Sequence, residues 1–459
     1  MRSEIPPLVS IYIISHNYGR FLSQSVDSVL TQSFSDFEII IIDDGSTDDT
    51  PQVLAKYAGN EKVHLILQQN KGLSVTNNIA LRTARGKYIM RLDADDYLHP
   101  DALKLLSVEL ESDPDVGMVF PDYYEIDENG NTIAEIRRHD FDDVTLLDQP
   151  AHGACTMIRR RCLEEIGGYD ETIGCQDGYE LWIRFIEHYK VKNINAPLFY
   201  YRQHGNNLTG DETRLLDTRA GILDRHAQRK GKHLSCLAIV PVRGKPADPN
   251  SPALSIFGGK PLIDWTLEAA LEAERISGVI VTTPDDDILA HVETRWPDQV
   301  MTVRRDSQLA QANTMLVATL RHAVEIYESD HPSVDALMTL AIECPFRTAR
   351  QLNSAVHVME LFDTDATVGV RPETDHFYRH NGGGLEPMRE DIHLRLERDE
   401  LYREVARMRL IKRHLLFDND GLPGGRVGHV VVDQMSAMEL RSEFDWTTAE
   451  MLAAGLGRT

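Results

Sequence analysis

The chain is short of cysteine and of positive charge, and it has no long apolar run. Its five cysteines, Cys155, Cys162, Cys175, Cys236 and Cys344, form an odd set with no C-x-x-C pair. That excludes a disulfide framework or a zinc ribbon and suits reduced thiols used for core packing. Lys plus Arg number 48 against 72 Asp plus Glu, a net charge of −24. A surface this acidic repels phosphate backbones, so no nucleic-acid partner is expected. The longest apolar stretches, SIYII, FEIIII and GHVVV, are far too short to span a bilayer, and the opening MRSEIPPLVS has no apolar run behind its single Arg. Together these absences lead to the expectation of a cytoplasmic protein with no transmembrane segment. What is present is ordinary globular composition, 42% hydrophobic and 26% charged over 459 residues, enough for two or three domains with full cores.

From Ser10 onward, short β-branched runs (SIYIIS, FEIIIID, KVHLILQ, KYIMRLD) alternate with amphipathic segments, the pattern of β-α-β units and a mostly parallel sheet. The alternation stops after Leu208. Residues 211 to 229 read as a polar helix, the basic cluster Arg229, Lys230 and Lys232 follows, and a second alternation starts at Leu234. The expected organisation is therefore two α/β domains, residues 1–230 and 231–459. The charged stretch 395–414 reads as an exposed helix from its i, i+4 charges, and the run Gly382, Gly383, Gly384 is weak evidence for a phosphate loop.

Parallel sheets place ligands at the carboxyl ends of their strands, and here those positions are acidic. Asp43 and Asp44 end FEIIII and open the turn GSTDDT; Asp93, Asp95 and Asp96 end YIMRL. An Asp-x-Asp on a turn directs two carboxylates at one hard cation, which would neutralise a diphosphate. The same residues also suit turn and helix-cap chemistry, and Asp177, ahead of YELWIRF, suits a helix N-cap. Trp182, Ile183 and Phe185 read as core.

The stretches SIYIISHNYGRFLSQSVDSVLTQSFSDFEIIIIDDGSTDDT, NKGLSVTNNIALRTARGKYIMRLDADD, GGYDETIGCQDGYELWIRF and YYRQHGNNLT resemble, in order, the family 2 glycosyltransferases of the GT-A fold, over residues 8 to 209. The resemblance implies that Asp44, with Asp43, meets the nucleobase or ribose of a nucleotide-sugar donor. It implies that Asp93 and Asp95 hold Mg²⁺ or Mn²⁺ against the diphosphate. Asp177 falls where the family keeps the base that deprotonates the acceptor hydroxyl of a glycan or other acceptor. His204 falls near the diphosphate, and Asn78 is retained. Asn77 departs, since that position usually carries Arg. One carboxylate opposite a metal-bound leaving group implies a single displacement with inversion.

Residues 234 to 455 resemble the acylneuraminate cytidylyltransferases, through LAIVPVRG, GGKPLIDWTLEAALEA, GVIVTTPDDDILAHV, CPFRTARQL and GHVVVDQMSAMELRSEFDWTTAEML. The implied fold class is α/β, two Rossmann-like nucleotide-diphospho-sugar transferase domains, GT-A followed by cytidylyltransferase-like. The implied ligands at the second domain are CTP or a nonulosonic acid, and relatives of this kind often dimerise through an arm of that domain. Arg243 and Arg347 match the family, as does Lys260 by spacing. The family's first-loop cations, however, fall on Ala247 and Pro252, with Lys245 two positions from the first. Its D-I-D metal pair falls on Glu439, Leu440 and Arg441, with Asp445 matching the later Asp. The expectation is a metal-dependent inverting glycosyltransferase serving bacterial surface polysaccharide or flagellar glycan, joined to a CMP-sugar-synthetase-like domain with degraded ligand positions. A bifunctional enzyme, a chain whose main activity is the cytidylyltransferase, and a non-catalytic scaffold are the alternatives.

Overall fold

The computed structural model describes residues 5–136, 153–205, 212–310, 315–373, 377–387, 401–418 and 425–456. The chain divides into two compact units, residues 1–211 with 376–399 and residues 212–375 with 400–459.

The first unit runs β1 (Val9–Ser15), α1 (Gly19–Leu30), β2 (Phe37–Asp44), α2 (Thr50–Ala55), β3 (Val63–Gln68), α3 (Leu73–Thr83), β4 (Tyr88–Asp93), β5 (Tyr97–Leu98), α4 (Ala102–Ser112), β6 (Val116–Ile126), β7 (Thr132–Ile136), β8 (Met157–Arg159), α5 (Arg160–Glu165), α6 (Asp177–Ile186) and β9 (Lys190–Arg202). The strands form one sheet in the order β3-β2-β1-β4-β8-β6-β9-β5, with β7 beside β6. Strand β1 lies between β2 and β4, parallel to both, which is why its residues are apolar on both faces. Ile11, Ile13, Ile39, Ile41, Met90 and Leu92 pack on one side with Leu22, Val26 and Val29 of α1. Tyr12, Ile40, Ile42, Ile89 and Phe120 pack on the other with Leu181, Trp182 and Phe185 of α6. Register then sets the site: Ser15 pairs with Asp43 and Ile14 with Asp93, so the acidic ends of β2 and β4 emerge at one edge.

The second unit runs α7 (Glu212–Lys230), β10 (Cys236–Pro241), β11 (Ile256–Phe257), β12 (Lys260–Pro261), α8 (Leu262–Glu272), β13 (Gly278–Thr283), α9 (Asp286–Arg295), β14 (Val300–Arg304), α10 (Leu316–Asp330), β15 (Ala336–Leu340), α11 (Ala349–Phe362) and β16 (Ala366–Glu373). After the hairpin strands β17 (Tyr378–His380) and β18 (Leu385–Pro387), which fall in the first unit, it continues with β19 (Leu401–Lys412), α12 (Arg413–Asp418), β20 (Val427–Val431) and α13 (Glu443–Leu456). Its sheet has the order β14-β13-β10-β15-β19-β16-β20, with β10, β13, β14 and β15 parallel and β19 antiparallel to both neighbours.

Three expectations change. Helix α7, expected to close the first domain, belongs to the second unit. Its buried residues Ile222, Leu223, His226 and Ala227 lie along one face, and Lys230 Nζ donates to Leu361 O of α11 at 2.7 Å. The stretch expected as an exposed helix is a strand over 401–412, and residues 395–400 lie outside the described residues. Ala406, Met408 and Leu410 are buried while Arg407 and Arg409 alternate with them, so the charges are the outward half of a period-2 pattern. The triple glycine is the turn of the β17–β18 hairpin: Asn381 Oδ1 accepts from the N–H groups of Gly383 at 2.9 Å and Gly384 at 3.1 Å. All five cysteines are free thiols and buried.

Candidate functional site

At the acidic edge of the first unit, Asp44 ends β2 with its carboxylate facing the start of α3. Oδ1 accepts from Gln68 Nε2 at 2.7 Å and Lys71 N–H at 2.9 Å; Oδ2 accepts from Gly72 N–H at 3.0 Å. Asp43 accepts from Ser46 N–H at 3.0 Å. Asn17, in the left-handed region at φ 63°, accepts from Thr47 N–H at 2.7 Å and ties the β1–α1 loop to the same turn. The turn reading and the binding reading of these aspartates are therefore compatible: the backbone bonds fix where the carboxylates stand.

The turn after β4 carries three carboxylates. Asp95 Oδ2 meets His204 Nε2 at 2.9 Å, and that imidazole is stacked on Phe21 at 5.4 Å. The His204 side chain is thus largely enclosed and paired. Asp96 accepts from Arg202 N–H at 2.9 Å, and its buried Oδ2 has no partner among the described residues. Burial, then the Asp93 charge, raises the Asp95 carboxyl; burial, then Asp95 and Asp93, raises Asp96 well above the usual range. Excess negative charge, hard oxygen donors and an orphaned buried oxygen at one turn fit a divalent cation. Among the described residues no group of three or more His, Cys, Asp or Glu side chains already forms a cage, so such an ion would draw its remaining ligands from water or substrate.

Asp177 is the first residue of α6. It is not that helix's N-cap: Gln176 holds the cap position, and no side chain caps the helix. Instead Asp177 Oδ2 accepts from Arg91 Nη1 at 2.7 Å and from Asn77 Nδ2 at 3.0 Å. Arg91 also grips Asp93, with Nε to Oδ1 at 2.7 Å and Nη2 to Oδ2 at 3.2 Å. The site thus gathers Asp93, Asp95, Asp177 and His204, with Asn77 filling the position where an Arg was expected. Arg91 was missed by sequence reasoning. The available signal was a charged residue inside an otherwise apolar strand, which needs a counter-charge when buried.

Asn78, expected at the donor site, is engaged by the protein itself. Its Oδ1 accepts from Tyr169 N–H at 2.9 Å, and its Nδ2 donates to Tyr169 O and Glu171 Oε1, both at 2.9 Å. Both ends of the amide hold the GGYDE loop.

In the second unit most of the expected ligands are engaged by groups of the protein itself. Arg347 is buried and spends its donors on the carbonyls of Ala406 (2.8 Å), Arg407 (3.1 Å) and Ala341 and on Thr266 Oγ1 (2.9 Å), and burial pushes it down to about 10. It fixes the bulge where Ala406 and Arg407 take positive φ. Lys260 pairs with Glu268 and lies over the Trp265 ring at 4.0 Å. Glu439 is bracketed by Arg407, at 2.6 Å, and Arg441. Asp445 forms a reciprocal cap with Ser442 at the start of α13, accepting from its N–H at 2.9 Å and Oγ at 2.8 Å. Arg347, Lys260, Glu439 and Asp445 thus all have partners within the protein. Arg243 and Lys245 are exposed on the loop after β10, where Lys245 N–H donates to Asp285 Oδ2 at 2.7 Å. Near Arg243 lies the buried Arg305, pushed down to about 10 by burial and by the Arg243 charge.

Residues 10–167 match the family model described as Glycosyl transferase family 2, and residues 237–336 match the one described as Cytidylyltransferase. The chondroitin synthase of Escherichia coli is 34% identical over 203 residues, covering 44% of this chain and 30% of that protein. An uncharacterized glycosyltransferase of Methanocaldococcus jannaschii is 30% identical over 206 residues, covering 43% of this chain and 71% of that protein. The solved S. aureus TarS in complex with UDP-GlcNAc matches with a TM-score of 0.42 and 17% identity over 48% of this chain and 66% of that one. The chain thus spans less than a third of the length of the E. coli chondroitin synthase. Among the described residues no helix is long and apolar enough to cross a membrane.

Proposed function

Because the chain belongs to glycosyl transferase family 2 and also carries a cytidylyltransferase domain, we propose that its first unit transfers a sugar from a nucleotide-sugar donor to a glycan or other hydroxyl acceptor, with inversion. The observation that carries this reading is the gathering of Asp93, Asp95, His204 and Asp177 where β4, β9 and α6 meet. Asp44, at the end of β2, would receive the nucleoside. Asp95 and Asp93 would hold Mg²⁺ or Mn²⁺, which when bound supplies positive charge to the departing diphosphate.

The acceptor oxygen attacks the anomeric carbon and gives its proton to Asp177, as the bond from that carbon to the diphosphate oxygen breaks. The nucleoside diphosphate leaves with the electron pair. Asp177 suits this work through its Oδ1, for which no hydrogen-bond partner is found among the described residues, while Oδ2 is anchored. Calorimetric titration of the full chain with UDP and with GDP, each with Mn²⁺, tests the reading. Binding of one of them that is lost in Asp95→Ala supports it; no binding of either, with tight binding of CTP and Mg²⁺ instead, overturns it.

For the second unit, the engagement of Glu439, Asp445, Arg347 and Lys260 by partners within the protein favours a domain that does not turn CTP over. It serves as a binding or assembly module, with dimerisation of the chain through it as one such use.

A further inference from the structure

The buried guanidinium of Arg91 joins two carboxylates that have separate tasks in the proposed reaction. Asp93 and Arg91 are two residues apart on β4, so their side chains share one face of the strand and meet as a fork. The third nitrogen, Nη1, crosses to Asp177 on α6. The side chain is 10% exposed, so this cation cannot trade its partners for water cheaply. The backbone closes over it at Gly153: a Cβ there would lie 2.7 Å from Nη2. Asn77 completes the arrangement by donating a second hydrogen bond to the same Asp177 oxygen.

One oxygen of Asp177 is thus saturated by two donors and the other is left for chemistry. A carboxylate at the mouth of a helix, next to a cation-binding pair, otherwise has two ways to fail. It can rotate and bring both oxygens toward the bound cation, or it can swing away from the acceptor. A charged fork held by Asp93 blocks both, since Nη1 fixes Oδ2 from the strand side.

We propose that Arg91 is a positioning residue for the transfer step, anchoring Asp177 by Oδ2 so that Oδ1 is presented to the acceptor hydroxyl. This rests on the assignment of Asp177 as the base. Arg91 touches neither donor nor acceptor in this scheme, but it also forks Asp93, so the role through Asp177 requires that its removal lower turnover far more than Mn²⁺-dependent nucleotide affinity.

The experiment uses the full chain and a panel of UDP- and GDP-sugars, reading release of the nucleoside diphosphate together with calorimetric affinity for the free nucleoside diphosphate and Mn²⁺. Arg91→Gln is expected to lower kcat roughly 10²-fold with nucleotide affinity within threefold of wild type, and Arg91→Lys to recover about a tenth of the wild-type rate. The decisive variant is Arg91→Gln combined with Asp177→Asn, which should be no slower than Asp177→Asn alone, because a residue that acts only through the base adds nothing once the base is gone. Additive losses in the double variant, or loss of nucleotide affinity in step with kcat, would overturn the proposal. If Arg91→Gln does not fold, Arg91→Lys decides: a fall in kcat at unchanged KM supports the role and an unchanged kcat refutes it. A wild-type rate in Asp177→Asn strikes at the base assignment itself. With Asp177→Asn slow and Arg91→Gln at the wild-type rate, the assignment stands and only the role of Arg91 falls.

Discussion

Replacing Gly153 by alanine should cost more in turnover than in stability, although Gly153 has no reactive group. The added methyl carbon would lie 2.7 Å from Nη2, 2.9 Å from Cζ and 3.2 Å from Nη1 of Arg91. Ordinary contact needs roughly 3.5–4 Å, so the guanidinium must retreat by about 1 Å. Its bond to Asp177 Oδ2 is 2.7 Å, and hydrogen bonds fade beyond roughly 3.2 Å, so the tie to the base is broken. The steric strain itself is small, because the atoms that give way are the far end of a flexible side chain. Stability falls by about 1.5–3 kcal/mol for one charge-assisted hydrogen bond, offset by about 0.4–1 kcal/mol from the stiffer unfolded chain. A net loss of about 1–2 kcal/mol lowers the melting temperature of a unit this size by roughly 2–8 °C. Turnover, by contrast, falls roughly 10²-fold, the usual consequence of a 1 Å misplacement at a reacting group. Initial rates of nucleoside diphosphate release, with differential scanning calorimetry on the same samples, separate the two effects. Wild-type rate and melting temperature together in Gly153→Ala would show that the loop relaxes freely and that Arg91 is not tightly held.

Asp95→Ala is expected to abolish transfer and Mn²⁺-dependent nucleotide binding while the fold is retained; undiminished turnover in that variant or in excess chelator counts against Asp95 as a cation ligand. The full chain offered CTP, Mg²⁺ and a nonulosonic acid should release no pyrophosphate above background, and turnover near one per second, ordinary for an enzyme, would make the chain bifunctional. Burial pushes His357 and His429 in the second unit down to about 4, from an ordinary value of 6.5. The unfolded chain therefore takes up these protons first on acidification. Stability from this source is full above about pH 6.5 and is lost toward pH 4. Melting of that unit should shift down over this range, and less so in His357→Asn with His429→Asn; an unaltered slope in the double variant refutes the attribution.

The two α/β units and the acidic strand ends were legible in the sequence because both depend on local pattern: a buried parallel strand must be an apolar run, and its end must turn. Asp43, Asp44, Asp93 and Asp95 emerge at one sheet edge as that logic requires. What was not legible was which polar groups are already spoken for. Asn78, Arg347 and Asp445 each stand where a ligand contact was expected, yet their partners, Tyr169, the Ala406 carbonyl and Ser442, are fixed by tertiary packing or by helix capping and not by motif spacing. Residues 401–412 misled for a related reason. Arg and Glu recur there at intervals that fit a helix, and only the neighbouring strands β15 and β16 decide that Met408 and Leu410 face a sheet core.

The bracketing of Glu439 by Arg407 and Arg441 bears on which changes of charge the second unit can absorb. Arg441→Asp would set a second carboxylate beside Glu439 and leave Arg407 as the counter-charge there among the described residues. Asp445 is meanwhile committed to starting α13, so drawing it away would fray the helix. These charges and the helix start are thus interlocked, so that altering one of them alone carries a cost that compensating changes together would avoid.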